Sequence, residues 1–365
     1  MNHESLNKQG VELIRKNLFS DAKYSFKQAL ILSPDYTDAL NNLGSLHHTL
    51  GDLDQAVRLF KRVVVLDPNY ALKSDNKILR VIYFFSKGNI QEALETLKML
   101  IEINPSDALL FNMLGGCFAS IGQTELAIVN YQTALELKPE YAIPKHMLNS
   151  LTGYTTKQPP KQYVKNLFDD YAYRFNDALV NNLHYSLPFI IKELILKSNS
   201  EKFEYQNVID LGCGTGLAGK DLREISTKLI GIDISENMLS QAEKLDIYDT
   251  LILGDIVEKL NVFKDKVDLF VALDVLIYIG DVQSTFQAVY KSCNPDSLFV
   301  FSVEIQNENG YSLLKSSRYA HSDEYIMDQT EGLFDLVNSQ NVRLRKEGEN
   351  WIEGKVYIFR PGKLG

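Results

Sequence analysis

With 365 residues, the chain is too long for one ordinary domain and predicts two. Its hydrophobic fraction of 45% and charged fraction of 23% are typical of a globular protein with sizeable cores. The formal net charge of -9 argues against binding of nucleic acid through the overall charge of the protein, although it does not exclude a local basic patch.

The cysteines and the apolar runs indicate the compartment. Cys117, Cys213 and Cys293 lie far apart and have no metal-ligand spacing, which favours a reducing compartment over a disulfide framework. The first residues lack the basic stretch and apolar core of a signal peptide. The most apolar run, 267–279, is interrupted by two aspartates and is too short and polar to span a bilayer. We expect a cytoplasmic protein that binds no metal ion and no membrane.

Four internal repeats occupy the N-terminal part of the chain. Prolines follow helical stretches at steps of 34, 37 and 34 residues, and other positions superpose around them. These are a small residue (Ala22, Ala56, Ala93, Ala127), a large apolar one (Phe26, Phe60, Leu97, Tyr131), a position held by Gly10, Gly44, Val81 and Gly115, turn residues (Asn17, Gly51, Gly88, Gly122) and the prolines Pro34, Pro68, Pro105 and Pro139. Small residues let two helices approach, large ones fill the space between helix pairs, and proline ends the second helix. The pattern resembles the tetratricopeptide repeat, whose period is about 34 residues.

The repeats predict an all-α solenoid over 1–154. Three extra residues in the third repeat predict a longer first helix or a longer turn at 73–77, and a helix over 141–153 would cap the array. Arrays of this kind usually offer a groove to a protein or peptide, so we expect such a partner. An asparagine ladder is absent, because Lys8, Leu79 and Met113 stand at the positions equivalent to Asn42. The alternative is an array that only stabilises a dimer or the neighbouring domain.

Strands alternate with helices in the C-terminal half, which predicts a mainly parallel sheet. Candidate strands cover 207–211, 228–232, 250–253, 267–272, 298–303, 342–346 and 355–359, the last two forming a hairpin at the sheet edge. The polar segment 155–160 contains two prolines and predicts the linker. The predicted fold is multi-domain: a solenoid followed by an α/β, Rossmann-like domain over 155–365, with lid helices at 161–200 and a core at 206–360.

A glycine-rich turn follows the first of these strands. It reads Asp210-Leu211-Gly212-Cys213-Gly214-Thr215-Gly216. Glycines let the backbone turn sharply and approach a ligand closely. The overlapping run 214–219 matches the G-x-G-x-x-G pattern of dinucleotide enzymes, with Asp233 at a suitable distance, so NAD-dependent oxidation is one alternative.

Acids at three strand ends favour S-adenosylmethionine (SAM) over NAD. Asp210 would attract an ammonium group, and Asp233 would accept hydrogen bonds from two ribose hydroxyls. Asp255 follows the third strand, where a carboxylate suits an adenine amino group. Three carboxylates are poor neighbours for a pyrophosphate, but they suit a ligand that carries a sulfonium and an ammonium.

The C-terminal arrangement resembles the class I SAM-dependent methyltransferases over 206–360. The resemblance implies that the methionine part of the cofactor is held by Asp210, Leu211, Gly212, Cys213, Gly214 and Gly216. It implies that Asp233 holds the ribose and that the adenine is held by Ile234, Met238, Asp255 and Ile256. The rim where cofactor and acceptor meet would be formed by Leu273, Asp274 and Tyr278. With the segments 163–175, 273–281, 301–304 and 317–322 and the repeats, the whole chain resembles the bacterial family of predicted methyltransferases that contain tetratricopeptide repeats. That family supplies no acceptor.

One candidate group for the acceptor side precedes the first strand. Phe168, Tyr171 and Phe175 share one face of a predicted helix. In related methyltransferases such a helix covers the cofactor as a lid, and Tyr171 carries a hydroxyl that would reach polar groups. The alternative is an aromatic face packed in the core.

A second candidate group lies after the fifth strand. Arg318, Tyr319 and His321 belong to the segment 306–328, and this region often closes the substrate pocket of class I enzymes. His321 would act as a base, and Arg318 would clamp a carboxylate. The alternative is a solvated helix or a structural ion pair.

The sequence thus predicts an enzyme that transfers a methyl group from SAM and leaves S-adenosylhomocysteine (SAH). Displacement at a sulfonium demands orientation and exclusion of water, and it needs no obligatory protein nucleophile. The repeats would recruit or orient a protein substrate or partner. The alternative is a repeat adaptor whose SAM-binding domain has lost turnover. The sequence does not distinguish between two classes of methyl acceptor, a protein side chain and a small metabolite.

Overall fold

The computed structural model describes residues 1–172, 185, 187–199, 204–347 and 350–362, without the side chains of Asp170 and Tyr171. Contacts divide the chain into two compact units, Met1–Leu148 and Asn149–Gly365. The division falls inside the helix predicted as the cap, whereas the sequence predicted the boundary after Tyr154. Among the described residues, no helix combines the length and apolarity that a bilayer crossing requires.

The first unit consists of paired helices. Its elements are α1 (His3–Arg15), α2 (Phe19–Leu32), α3 (Thr37–Thr49), α4 (Leu53–Leu66), α5 (Pro68–Lys73), α6 (Lys77–Ser86), α7 (Ile90–Ile103), α8 (Ala108–Ser120), α9 (Thr124–Leu137) and α10 (Ala142–Thr152), the last of which crosses the division. The predicted solenoid is confirmed. The extra residues of the third repeat lie in the connection, where the short α5 precedes α6, and the first helix of that repeat is not longer.

Proline explains where the second helix of each pair ends. The residues before the four prolines are Ser33, Asp67, Asn104 and Lys138, and all four have a non-helical conformation with φ between -136° and -144°. A proline ring excludes the helical conformation from the residue that precedes it. The helix therefore stops at the same place in every repeat.

Close approach of helices depends on the glycine of the first helix. A Cβ atom added at Gly44 would lie 2.7 Å from the ring of Phe60, and one at Gly115 would lie 2.7 Å from Tyr131. The third repeat has Val81 at this position and the smaller Leu97 opposite. The larger residue in one helix is thus matched by a smaller one in its partner helix.

The second unit is an α/β domain. Its elements are α11 (Lys161–Tyr171), α12 (Leu187–Ser198), β1 (Tyr205–Leu211), α13 (Gly219–Arg223), β2 (Ser226–Asp233), α14 (Glu236–Glu243), β3 (Thr250–Leu253), α15 (Ile256–Val262), β4 (Val267–Ala272), a 3-10 turn (Leu276–Tyr278), α16 (Gln283–Ser292), β5 (Cys293–Ile305), β6 (Tyr311–Leu313), β7 (Tyr319–His321), α17 (Asp323–Thr330), β8 (Phe334–Glu347) and β9 (Asn350–Pro361).

The sheet is mainly parallel in its centre. The strand order is β3-β2-β1-β4-β5-β7-β6, with β9 antiparallel to both β5 and β8. The predicted α/β fold is confirmed, and a hairpin of β8 and β9 stands where the sequence predicted one. The segment predicted as an insertion contributes β7, which pairs with β5 in parallel. Because β1 to β4 run in one direction, their carboxyl ends meet at one edge, where open α/β sheets bind ligands.

Candidate cofactor site

A cavity of about 290 Å³ opens at the carboxyl ends of β1 to β4. Of the residues that the sequence assigned to the cofactor or acceptor, its lining contains Asp210, Gly212, Cys213, Gly214, Asp233, Ile234, Asp255, Ile256, Leu273, Asp274, Tyr278 and Arg318. The helix α11 adds Lys161, Tyr163, Val164, Leu167 and Phe168 to the lining. The cavity has the size of the smaller ligand pockets of proteins.

The glycine-rich turn forms a cradle at the end of β1. Gly212 has a φ of +66°, and a Cβ atom there would lie 2.5 Å from Cγ2 of Val275. Gly214 has a φ of +55°, and its N–H donates a 2.9 Å hydrogen bond to Oδ2 of Asp233. Both positions need left-handed backbone, which glycine adopts at the lowest cost. The turn therefore exposes backbone to the cavity and aligns the carboxylate at the end of β2.

Asp233 is held by two backbone amides. Besides Gly214, the N–H of Ser235 donates a 2.8 Å hydrogen bond to Oδ1. Burial raises the pKa of this carboxyl to about 6, although the amide hydrogen bonds act in the opposite direction. The carboxylate has a fixed orientation, and its remaining lone pairs are free to accept hydrogen bonds from vicinal hydroxyls.

Asp210 has a partner that the sequence analysis missed. The hydroxyl of Tyr248 donates a 2.7 Å hydrogen bond to its Oδ2. Burial raises the pKa of Asp210 to about 7, and the hydrogen bond from Tyr248 limits that rise. The ring of Tyr248 fills space beside Gly219 and Gly231, where an added Cβ would come within 2.4 Å and 3.1 Å of its atoms. An isolated glycine inside a strand, Gly231, was the available signal for such a close approach.

Asp255 precedes α15 as its N-cap and lies beside Lys161, the first residue of α11. Its Oδ1 accepts a 3.1 Å hydrogen bond from the N–H of Glu258, which caps the helix. Nζ of Lys161 lies 3.2 Å from its Oδ2 and 2.7 Å from Oε1 of Glu258. At the other end of α11, the Ser235 hydroxyl donates a 2.7 Å hydrogen bond to Asp169. Both ends of α11 are thus fastened beside strand ends that border the cavity.

Of the three aromatic residues predicted to form a lid, the structure describes the side chain of Phe168. Phe168 lines the cavity, and its ring packs edge-on against Tyr278 with a centroid separation of 5.0 Å. The side chain of Tyr171 and the whole of Phe175 lie outside the described residues.

Several predicted site residues are not part of the cavity lining. Leu211 and Met238 are fully buried. Gly216 packs against Leu245 and Tyr248 behind the turn. Tyr319 is buried, and its hydroxyl lies 2.6 Å from Oγ1 of Thr156. These residues support the turn, the adjoining helix and the adjoining strand, and they do not face the cavity.

His321 differs most from its predicted role as a base. It is fully buried and absent from the cavity lining, and Nε2 lies 2.9 Å from the carbonyl oxygen of Ile279 and 3.0 Å from that of Gly280. Burial lowers the pKa of the imidazole to about 4. A neutral ring that donates Nε2–H to two carbonyls fixes the loop after the 3-10 turn. In this position its side chain is not among those that line the cavity.

Arg318 lies in the cavity but has protein partners. Its guanidinium pairs with Glu347, and its charge acts on the phenol of Tyr278, where burial nevertheless raises the pKa. Arg345, which the sequence analysis missed, also lines the cavity and pairs with Asp274. Within the described ranges, histidine, cysteine and carboxylate side chains form no cluster that would hold a metal ion.

Comparisons with known proteins agree with this architecture. Residues 202–343 match a family model described as a methyltransferase domain. Residues 7–71 and 108–141 match models of the tetratricopeptide repeat. The predictions of a methyltransferase domain and of tetratricopeptide repeats are confirmed.

Individual relatives are similar over part of the chain. The 18S rRNA (guanine-N(7))-methyltransferase RID2 of Arabidopsis thaliana is 26% identical, over 27% of this chain and 38% of its own length. The malonyl-[acyl-carrier protein] O-methyltransferase of Buchnera aphidicola is 27% identical, over 41% and 60%. The magnesium protoporphyrin IX methyltransferase of Synechocystis with bound SAH superposes with a TM-score of 0.44 at 14% identity, over 55% of this chain and 99% of that one. The chain spans about half or less of the length of the first curated relatives it matches.

Proposed function

We propose that the protein transfers a methyl group from SAM to an acceptor, on the basis of the match to a methyltransferase domain over 202–343 and to tetratricopeptide repeats over 7–71 and 108–141. SAM supplies an electrophilic methyl group and leaves as SAH. The repeats recruit or orient a protein substrate or partner.

One observation carries the choice of cofactor: the acids at three strand ends line the same cavity. Asp210 and Asp233 are nearly fully buried there, and Asp255 lies on the same lining. A buried carboxylate needs a positive or hydrogen-bonding partner, and SAM offers an ammonium, a sulfonium, two ribose hydroxyls and an adenine amino group. A pyrophosphate would add negative charge beside three carboxylates. The donor set and the glycine cradle at Gly212 both fit SAM.

The residues of this chain orient the reactants and exclude water. Asp233 has both oxygens on backbone amides and therefore offers fixed acceptors to the ribose. The apolar side chains of α11, Val164, Leu167 and Phe168, line the cavity and would keep solvent from a bound sulfonium. Direct displacement then depends on position more than on an acid or base.

Calorimetric titration of the full chain with SAM and with NAD tests the cofactor. We expect micromolar binding of SAM and none of NAD. Asp233→Ala should abolish SAM binding, because the ribose loses two fixed acceptors. Asp265→Ala, an exposed acid away from the cavity lining, is the matched control. Unchanged SAM affinity in Asp233→Ala would contradict the ribose role.

The second candidate is a repeat adaptor with a SAM-binding domain that does not turn over. The two functions differ in whether SAH accumulates when the chain is incubated with SAM and cell extract. An adaptor binds SAM but leaves the SAH concentration at the level of the extract alone.

A further inference from the structure

Three carboxylates share two guanidinium groups at one end of the cavity. Arg345, whose side chain is 1% exposed, lies 2.6 Å from Glu304, 3.1 Å from Glu347 and 3.3 Å from Asp274. The second guanidinium, that of Arg318, pairs with Glu347. When all five groups are ionised, the cluster carries one more negative charge than positive charge.

Asp274 is the one carboxylate of this cluster that lines the cavity, where it lies beside both guanidinium groups. Its contact is the longest of the three to Arg345. Its backbone has a φ of +57°, a left-handed conformation that is uncommon outside glycine. Its N–H donates a 2.9 Å hydrogen bond to Oγ of Ser302, which holds the residue in place. Such backbone outliers concentrate at functional sites.

A buried hydroxyl without a partner lies on the same lining. Tyr185 is 4% exposed, and within the part of the chain that the structure describes its hydroxyl has no hydrogen-bond partner. The charges of Asp274, Arg345 and Asp210 act on this hydroxyl. An unpartnered buried hydroxyl is costly, and a ligand that completes its hydrogen bonding removes the cost.

The charged side chains among the described lining residues indicate which charge the acceptor would carry. In the described residues, the lining contains four carboxyl groups (Asp210, Asp233, Asp255, Asp274) and three cations (Lys161, Arg318, Arg345), so it carries one excess negative charge above the pKa of about 7 at which Asp210 ionises. SAM adds one net positive charge, because its ammonium and sulfonium outweigh its carboxylate, and the paired Glu304 and Glu347 leave the region acidic even then. An anionic acceptor would increase this charge, and a protonated amine would offset it.

We propose that the acceptor of this site is an amine, whose nitrogen docks between the carboxylate of Asp274 and the hydroxyl of Tyr185. The inference rests on the proposed function and names its substrate class. It replaces the expectation that Arg318 clamps a carboxylate, because that guanidinium is already paired with Glu347.

The chemistry balances with one proton acceptor. The nitrogen arrives as an ammonium and donates hydrogen bonds to Asp274 and Tyr185. It passes one proton to Asp274, whose pKa burial raises and which is therefore a better base than an exposed carboxylate. The nitrogen lone pair then bonds to the methyl carbon, while the carbon–sulfur bond breaks and leaves its electron pair on the sulfur of SAH. The proton on Asp274 passes to solvent.

Binding of two matched fragments tests the proposal without knowledge of the acceptor. n-Butylammonium and n-butyrate have the same chain and opposite charge. Their affinities are measured by ligand-observed NMR on the full chain, with and without saturating SAH, at 150 mM salt. The variants are Asp274→Asn and Tyr185→Phe. Asp265→Asn makes the same change in net charge at an exposed position and is the control.

We expect n-butylammonium to bind at least about tenfold more tightly than n-butyrate. Asp274→Asn should abolish this preference, Tyr185→Phe should reduce it, and Asp265→Asn should keep it. Equal or tighter binding of n-butyrate overturns the proposal, as does a preference that survives in Asp274→Asn. The comparison of n-butylammonium with n-butyrate on the wild-type protein tests the proposal even if a variant does not fold. If the proposed function is wrong, the wild-type protein will not bind SAH. The fragment titrations without SAH then still show whether the site prefers an amine to a carboxylate.

Discussion

The hydroxyl of Tyr248 lies 2.7 Å from Oδ2 of Asp210, at the end of the first strand and beneath the glycine-rich turn. This contact joins the carboxylate assigned to the cofactor's ammonium to a residue from the loop before β3. It limits the rise in the Asp210 pKa that burial causes, and so it favours the charged form that an ammonium requires.

Tyr248→Phe keeps the ring beside Gly231 and removes the hydroxyl, which makes the hydrogen bond to Asp210 and also packs against Gly219. We expect SAM affinity to fall by about tenfold, because hydrogen bonds to charged groups contribute about 1.5–3 kcal/mol. Calorimetry measures the change, with the exposed Tyr24→Phe as the control. Equal affinities in the two variants would remove Tyr248 from the site.

The pH dependence of SAM binding follows from the same carboxyl. Asp210 has a pKa of about 7 in the folded protein, so it is neutral below this pH and charged above it. SAM affinity should therefore rise as the pH increases from 6 to about 7.5, with Asp233, whose pKa is about 6, contributing at the lower end of this range. In Tyr248→Phe the midpoint should move to higher pH, because the hydrogen bond that lowers the pKa is lost. Titrations at three pH values measure both, and a flat profile in the wild type would contradict the role of Asp210.

Asp210→Asn should weaken cofactor binding and raise the stability of the ligand-free protein. A carboxyl whose folded pKa is raised stabilises the fold most below its unfolded pKa of 3.8, and this contribution is lost as the pH rises through about 7. At pH 8 the neutral amide should therefore raise the free energy of unfolding of the ligand-free protein, by about 1–3 kcal/mol. Urea denaturation at pH 5 and pH 8 measures the difference. A variant less stable than the wild type at pH 8 would contradict this reasoning.

Gly212→Ala should destabilise the turn and remove SAM binding. The alanine would adopt a φ of +66° and would bring Cβ within 2.5 Å of Val275, so we expect a loss of about 1–3 kcal/mol. Gly310→Ala is the control, because Gly310 also has a positive φ but nothing within 4 Å of an added Cβ. Thermal unfolding and calorimetry separate strain from crowding. SAM binding retained in Gly212→Ala would contradict the cradle.

In the repeats, we expect that Gly115 and Tyr131 can be replaced together by valine and leucine. These are the residues that the third repeat has at the equivalent positions. Gly115→Val alone should cost about 1–3 kcal/mol, because its side chain enters the space of the Tyr131 ring. Adding Tyr131→Leu copies Val81 and Leu97 and should recover most of the loss. A double-mutant cycle by urea denaturation measures the coupling, and additive losses would contradict it.

The sequence predicted features that depend on one residue type at one place in the chain. Asn17 and the turn glycines, such as Gly51, separate the paired helices as the repeat alignment indicated, and they have positive φ values there. The acids at the strand ends line one cavity because parallel strands bring their carboxyl ends together. These properties follow from local conformation and from the alternation of strands and helices.

Contacts between distant segments could not be predicted in the same way. In β8 the pairing register shifts between Arg343 and Arg345, so that Leu344 and Arg345 are both buried, and simple alternation would have placed one of them outside. His321 lies in a strand whose neighbours bury it, although its sequence context matched a pocket-closing segment. Tyr248 reaches Asp210 only because β3 lies beside β2 in the sheet.

Transfer of radiolabelled methyl groups from SAM into a size-fractionated extract of the protein's own cells tests the central claim most directly. The account predicts label in at least one fraction and accumulation of SAH with the wild-type chain, and neither with Asp233→Ala. SAH that rises no further with the wild type than with Asp233→Ala would contradict it.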